Sequence, residues 1–286
     1  MHPVVETFFD KPTFSFTHLV YCPKSKKAAV IDPVMDFDPA AMRTSTCSIE
    51  KIYQRIQALA LDLCWVIETH AHADHLSAAQ WLKSKFDAPI VIGEHITEVQ
   101  KTFNELFELE GAAEASADDF DHLAKDGDRL TLGELEIEVM HTPGHTPTCC
   151  TYVIGNTAFV GDTIFMPDFG TARCDFPGGD ARQLYRSLQR TLSLADDTRL
   201  LMCHDYMPGG RDLKWESSVA EQKRDNIHIN SSVDEDSFVK MRRERDQQLP
   251  VPKLILPALQ VNIRAGKMPL ASASGTHFIR LPLNKL

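Results

Sequence analysis

The chain is short of positive charge. Its 286 residues carry 30 Lys and Arg against 40 Asp and Glu, a formal net charge of -10. A nucleic-acid footprint needs clustered Lys and Arg to displace counterions, so this balance argues against such a partner. The basic run Met241–Arg245 is short, flanked by acids, and reads as a solvated helix face. No apolar run approaches the ~18 residues of a membrane span. The stretch Met1–Asp10 lacks the basic region, apolar segment and small-residue cleavage site of an export signal. Seven cysteines at irregular spacing do not read as a disulfide framework, and a reducing, cytoplasmic setting is the simplest expectation. Cys149 and Cys150 are adjacent in a strand pattern and point to opposite faces, so they are not expected to bridge each other. Internal repeats are absent. Apolar residues are not scarce: at 43% hydrophobic content the chain can bury a sizeable core, expected as one domain over residues 1–286.

Strand and helix patterns alternate. Phe14–Val20 alternates with period two, as a half-buried strand should, and Ala28–Ile31 is a short apolar run ending at the turn Asp32-Pro33. Ile49, Ile52, Tyr53, Ile56 and Leu59 recur at helical spacing. Cys64–Thr69 is an apolar run of strand length that leads straight into His70. Leu76–Phe86 reads as a helix and Pro89–Gly93 as a strand. The acidic stretch Glu108–Asp128 reads as an exposed helix and loop. Leu135–Met140, Thr151–Ile154 and Ala158–Val160 are closely spaced strands that favour antiparallel pairing, and Leu184, Leu188 and Leu192 mark a helix. Leu200–Cys203 is a last strand ending at His204. The proline-containing tail, residues 226–286, is expected to be mostly extended and packed on the body.

The chemistry gathers where strands end. His70, His72, Asp74 and His75 lie on a tight turn after a buried strand. His145 sits in Thr142-Pro143-Gly144-His145-Thr146, Asp162 follows Phe159-Val160-Gly161, and His204 follows Leu200–Cys203. Gly permits close backbone approach at two of these turns. All seven candidate metal ligands thus sit on loops that follow apolar strands. Imidazole nitrogen and carboxylate oxygen suit zinc, iron and manganese alike. His2, His18, His95, His122, His141, His228 and His277 read as ordinary surface or hydrogen-bonding residues. Cys64 and Cys203 read as small core residues.

The run Thr69–His75, the Pro-Gly-His-Thr-Pro turn at His145, the Gly-Asp at Asp162 and His204-Asp205-Tyr206 resemble the metallo-β-lactamase superfamily. The likeness is to its glyoxalase II-like branch, and most closely to bacterial persulfide dioxygenases. Ala29–Val34 resembles that family's early strand and turn. Ala172-Arg173-Cys174-Asp175-Phe176 resembles its Gly-Arg-Thr-Asp-Phe segment, with Ala and Cys in place of Gly and Thr. The acidic insertion and the long tail after Asn226 exceed the compact dioxygenase plan, and no rhodanese-like active-site Cys loop is present.

The resemblance implies an α/β fold, an αββα sandwich of two mixed sheets with helices on the outer faces. It implies one Fe(II) held by His70, His145 and Asp162, with three positions open to substrate sulfur and O₂. His72, Asp74, His75 and His204 would orient those ligands and take part in catalysis around them. Arg173 would anchor a substrate carboxylate or brace the site through Asp175, and Tyr206 would reach the substrate through its hydroxyl. The implied reaction is oxidation of glutathione persulfide by O₂ to sulfite and glutathione; the homodimer expected here rests on the proline-containing tail, which could serve association. Ligand types alone leave alternatives. Asp162 could bridge two Zn²⁺ ions, one on His70, His72 and His145 and the other on Asp74, His75 and His204, for thioester or lactone hydrolysis. A non-catalytic metal-binding module is the third reading.

Overall fold

A computed structural model describes residues 1–108 and 116–285. Two six-stranded sheets form its centre. The first runs in the order Val4–Asp10, Ser15–Tyr21, Lys27–Ile31, Asp62–Ile67, Ile90–Gly93 and His122–Ala124. Its first three strands pair antiparallel and the rest parallel. The second runs Arg129–Leu132, Leu135–His141, Cys150–Ile154, Thr157–Phe159, Arg199–Leu201 and Glu216–Ser218. Its first four strands pair antiparallel, as the close spacing favours, and Arg199–Leu201 joins parallel to Thr157–Phe159.

The sheets pack face to face. Val20, Ile31, Ile67 and Val91 from one meet Ile137, Tyr152, Phe159 and Leu201 from the other. The outer face of the first sheet carries the helices Cys47–Ala58, Ala79–Phe86, Ile96–Phe107 and Ile255–Asn262 through Ile49, Leu82, Val99 and Leu259. The outer face of the second carries Ala181–Leu192 and Glu235–Asp246 through Leu184, Leu188 and Phe238. This is the four-layer α/β order that the resemblance implies.

Burial corrects several local expectations. Ser15–Tyr21 is buried along its whole length rather than on one face, because layers cover both sides of its sheet. Thr17 and His18 tolerate this because their polar atoms are bonded: Thr17 Oγ1 donates to the Asp32 carbonyl at 2.8 Å, and His18 Nε2 meets the Met202 carbonyl at 3.0 Å. Leu76 and Ser77 pair with Met35 and Val34 as a short strand, and the helix expected there starts only at Ala79. Within the acidic stretch, residues 109–115 lie outside the described residues. Of the remainder, Ala117 and Phe120 are buried in the core and His122–Ala124 is a sheet edge, not exposed helix or loop.

The tail is not mostly extended. It contains the helices Glu235–Asp246 and Ile255–Asn262. Pro257 is accepted in the first turn of the second helix, where its missing N–H would have no partner in any case. The Met241–Arg245 run does lie on a helix, but Arg242 is 1% exposed and paired with Asp246 instead of solvated. All seven cysteines are free. No helix of the described residues is long and apolar enough to cross a membrane.

Candidate metal centre

The turn after the strand Asp62–Ile67 is pinned from two sides. Asp32, itself at a φ of 51°, accepts from the Thr69 N–H at 2.7 Å and the Thr69 hydroxyl at 2.9 Å. From the far end of the chain, the Asn262 side chain donates to the His72 and His75 carbonyls at 2.8 and 2.7 Å and accepts from the Ser77 N–H at 2.8 Å. Buried backbone groups that neither helix nor strand would pair are thereby satisfied. Neither Asn262 nor Ser15, described below, stood out in the sequence. No short-range pattern marks them.

The other ligand turns depend on glycine. Gly144 has φ 137°, and a Cβ there would lie 2.3 Å from the Leu184 backbone nitrogen. Gly161 has φ 51°, and a Cβ would lie 2.7 Å from Thr69 Oγ1. These glycines let His145 and Asp162 approach the first turn. His204 is brought in by bridge pairing with Ser15 and by the Phe16 N–H donating to the Cys203 carbonyl at 2.7 Å.

The donor atoms converge. His70 Nε2 and His145 Nε2 face Asp162 Oδ2 at 3.9 and 3.7 Å, while His204 Nε2 lies 3.2 Å from Asp162 Oδ1. Metal bonds of about 2.1 Å put neighbouring ligand atoms about 3–3.5 Å apart, so a small inward closure would seat an ion. His70 Nε2, His72 Nδ1, His75 Nε2, His204 Nε2 and Asp162 Oδ1 are buried without a hydrogen-bond partner. Buried polar atoms are rarely left so, and a centre of one or two metal ions is what such a cluster would serve. The residues fit a metal.

Electrostatics follow from this crowding. Burial alone would raise the Asp162 carboxyl, but His204, His70 and His145 outweigh it and hold it well below the carboxylate range. Burial, then the neighbouring His72, pull His70 well below its ordinary value. His72 moves the other way. Burial disfavours its charge, yet Asp32 at 3.0 Å and Glu68 at 3.4 Å from Nε2 raise it well above 6.5. Glu68 is an unforeseen member of the site. Its carboxyl also accepts from the Ser77 hydroxyl.

The remaining expected residues surround this centre. Asp74 Oδ2 accepts from Ser15 Oγ at 3.0 Å and lies 3.2 Å from His75 Nδ1. Arg173 donates through Nε and Nη2 to both Asp175 oxygens at 2.6 and 2.7 Å, and through Nη1 to the Pro250 carbonyl at 2.7 Å. Its carbonyl accepts from His145 Nδ1 at 2.8 Å, and its guanidinium lies over the Phe176 ring. Tyr206 stacks on His204 with ring centroids 5.6 Å apart. Burial, then Asp162 and Asp74, push its phenol well above 10, so it stays a donor. His141 stacks on His95 and is not drawn into the centre.

The model of the metallo-beta-lactamase superfamily matches residues 10–204. The chain belongs to that superfamily. A probable metallo-hydrolase of Burkholderia pseudomallei is 49% identical, with 99% of each chain covered. A beta-lactamase hydrolase-like protein of Xylella fastidiosa is 48% identical over 99% of this chain, which spans 65% of that relative's length. The mitochondrial persulfide dioxygenase ETHE1 of Homo sapiens is 29% identical over 92% of this chain and 89% of its own. Among solved structures, ETHE1 from Myxococcus xanthus superposes with a TM-score of 0.74 at 29% identity, covering 92% of this chain and all of that one. The superfamily is one of enzymes, and a buried His and Asp cluster able to hold a metal is present here.

Proposed function

We propose that the chain is an iron-dependent persulfide dioxygenase that oxidises glutathione persulfide to sulfite and glutathione. One observation carries this reading. His70, His145 and Asp162 form a two-imidazole, one-carboxylate group around Asp162 Oδ2, the donor set that suits a single ferrous iron with open positions. The likeness to ETHE1 over most of both chains supports it. An iron on those three residues would offer open positions for a sulfur ligand and for dioxygen.

The chain's own residues supply the rest. The Arg173 carbonyl keeps the proton of His145 on Nδ1, so Nε2 faces the metal position. Thr69 Oγ1, which gives its own proton to Asp32, accepts from His70 Nδ1 and fixes that ring likewise. Tyr206 offers a phenolic proton beside His204, where a substrate carbonyl or sulfur can accept it. Asp175, the Pro250 carbonyl and Phe176 hold the Arg173 guanidinium, and an N–H group left over from those bonds would be the one to meet a substrate carboxylate. Persulfide, O₂ and water balance to thiol and sulfite: the outer sulfur takes both atoms of O₂, and water cleaves the S–S bond.

A second reading, a dinuclear zinc hydrolase, draws on the unpartnered His72 Nδ1, His75 Nε2 and His204 Nε2 and on the names of the more similar relatives. Metal analysis of protein purified without added metal, paired with an oxygen electrode, separates the two. About one iron per chain with O₂ uptake on glutathione persulfide is expected. Two zinc ions per chain with thioester hydrolysis and no O₂ uptake would overturn the proposal.

A further inference from the structure

Phe14 takes a backbone conformation that bulky residues rarely adopt. Its φ is 58°, in the left-handed region, where an aromatic residue is a genuine outlier because its Cβ crowds the backbone. The turn between the first two strands imposes this from both sides. Upstream, Asp10 Oδ2 accepts from the Thr13 N–H at 3.1 Å and from the Thr13 hydroxyl at 2.6 Å. Downstream, Ser15 bridges to His204, its hydroxyl donates to Asp74, and the Phe16 N–H donates to the Cys203 carbonyl. Phe14 joins these two fixed ends, and its strain persists because the neighbours over-determine it.

Strain of this kind collects at functional sites, and here it points at one. The Phe14 carbonyl accepts from the Asp205 N–H at 3.1 Å and lies 3.3 Å from His204 Nδ1. The Phe14 ring lies against Tyr206, with centroids 5.7 Å apart. Tyr206 belongs to neither helix nor strand. Four rings surround it instead: Phe169 at 4.7 Å, His204 at 5.6 Å, Phe14 at 5.7 Å and Phe165 at 6.1 Å. Of these, Phe14 also bonds the backbone of Asp205, the residue before Tyr206. We propose that Phe14 is a positioning residue: its strained turn fixes His204 and Asp205, and its ring holds Tyr206 so that the hydroxyl meets the substrate beside the metal centre. The substrate part of this rests on the dioxygenase reading. The placement of Tyr206 does not.

Melting curves and a double-mutant cycle test it together. Phe14→Gly removes the ring and relieves the backbone, so it should melt higher than Phe14→Ala, the reverse of the usual order. Both variants should still lower kcat/KM for glutathione persulfide in O₂ uptake about five- to tenfold, the loss of one well-placed hydrogen bond. Phe14→Tyr keeps a ring in place and should recover most of that loss. Tyr206→Phe should lose about as much as Phe14→Gly. The double variant Phe14→Gly/Tyr206→Phe should lose no more than Tyr206→Phe alone, because Phe14 acts through that hydroxyl. If Phe14→Gly does not fold, Phe14→Asn, which also tolerates the left-handed region, carries the comparison. Wild-type kcat/KM in folded Phe14→Gly, or losses that multiply in the double variant, overturn the proposal. If the wild type takes up no O₂ with glutathione persulfide, the dioxygenase reading fails on its own. Crystal structures of the holoenzyme and of Phe14→Gly then decide the role of Phe14: a Tyr206 ring displaced from His204 supports it, and an unmoved ring overturns it.

Discussion

Replacing Arg242 with Met tests how the fold supports the metal centre from a distance. Arg242 donates to Asp246 Oδ1 through Nε at 2.8 Å and Nη2 at 2.6 Å, and to the Thr171 carbonyl through Nη1 at 3.1 Å. Asp246 Oδ2 accepts from the Cys174 N–H at 2.9 Å. The pair therefore grips both ends of Thr171–Cys174, and inside that segment the Arg173 carbonyl fixes His145. Three bonds from the charged guanidinium at about 1.5–3 kcal/mol each set an upper range of about 4.5–9 kcal/mol. Measured losses for breaking one side of a buried ion pair, about 3–5 kcal/mol, reach only the lower end of it and are the better guide. At roughly 2 °C per kcal/mol for a chain of this size, the melting temperature should drop by about 6–10 °C.

The assay is urea and thermal unfolding of chelator-treated protein, so that metal binding does not mask the loss. Asp246→Leu should lose a similar amount. The double variant Arg242→Met/Asp246→Leu leaves no unpaired buried charge and strands only the Cys174 N–H and the Thr171 carbonyl. It should lose about 2–3 kcal/mol, far less than the sum of the singles. Metal affinity of Arg242→Met should fall about 10–100-fold through the loosened His145. A single-variant loss below about 1 kcal/mol, or additive singles, would refute the reasoning.

Burial, partly offset by the Met202 carbonyl and Asp32, lowers His18 from 6.5 to about 4. Between those values the unfolded chain binds a proton that the folded chain refuses, so stability should fall as pH drops from 6.5 to 4. His18→Gln should flatten that slope in pH-dependent melting curves, and an unchanged slope would contradict the assignment. Gly144→Ala meets both an unfavourable φ and the Leu184 backbone, and should cost about 2–6 kcal/mol and reduce the metal bound per chain. On the one-iron reading, His72→Ala should keep about one metal ion per chain at roughly 10–100-fold lower affinity. Complete loss of metal from folded protein would make His72 a direct ligand.

The ligands were legible because each follows an apolar run that could only be a buried strand. Asp62–Ile67, Thr157–Phe159 and Arg199–Leu201 lead to His70, Asp162 and His204, and the sheets aim all three the same way. What supports those ligands was not legible. Ser15 reaches His204 across 189 positions, and Asn262 reaches His72 across 190. A single polar residue carries no periodicity, so nothing in its neighbourhood tells which buried carbonyl it will satisfy. Arg242 misled for a related reason. Hydrophobic spacing shows which helix face is apolar, but not whether an Arg on that helix meets an Asp one turn later and is buried with it. The tail helix was hidden by prolines that read as breakers, although the one inside it falls in its first turn.

The five imidazoles of the centre show how the fold divides ligand from support. His70, His145, His75 and His204 are each held through Nδ1, by Thr69, the Arg173 carbonyl, Asp74 and the Phe14 carbonyl respectively, and so present Nε2. His72 is inverted: Asp32 and Glu68 hold its Nε2, and Nδ1 is the free atom. Nδ1 lies next to the ring carbon that joins Cβ, so His72 can reach the metal position only if its backbone stays close to it. That backbone is fixed by Asn262 from the tail helix and by the Thr69 bonds to Asp32. Whether His72 binds metal is thus decided by anchors remote in sequence, and Asn262 holds the His75 carbonyl in the same way. Loosening the tail helix should therefore disturb His72 and His75 before it disturbs His70, His145 or Asp162.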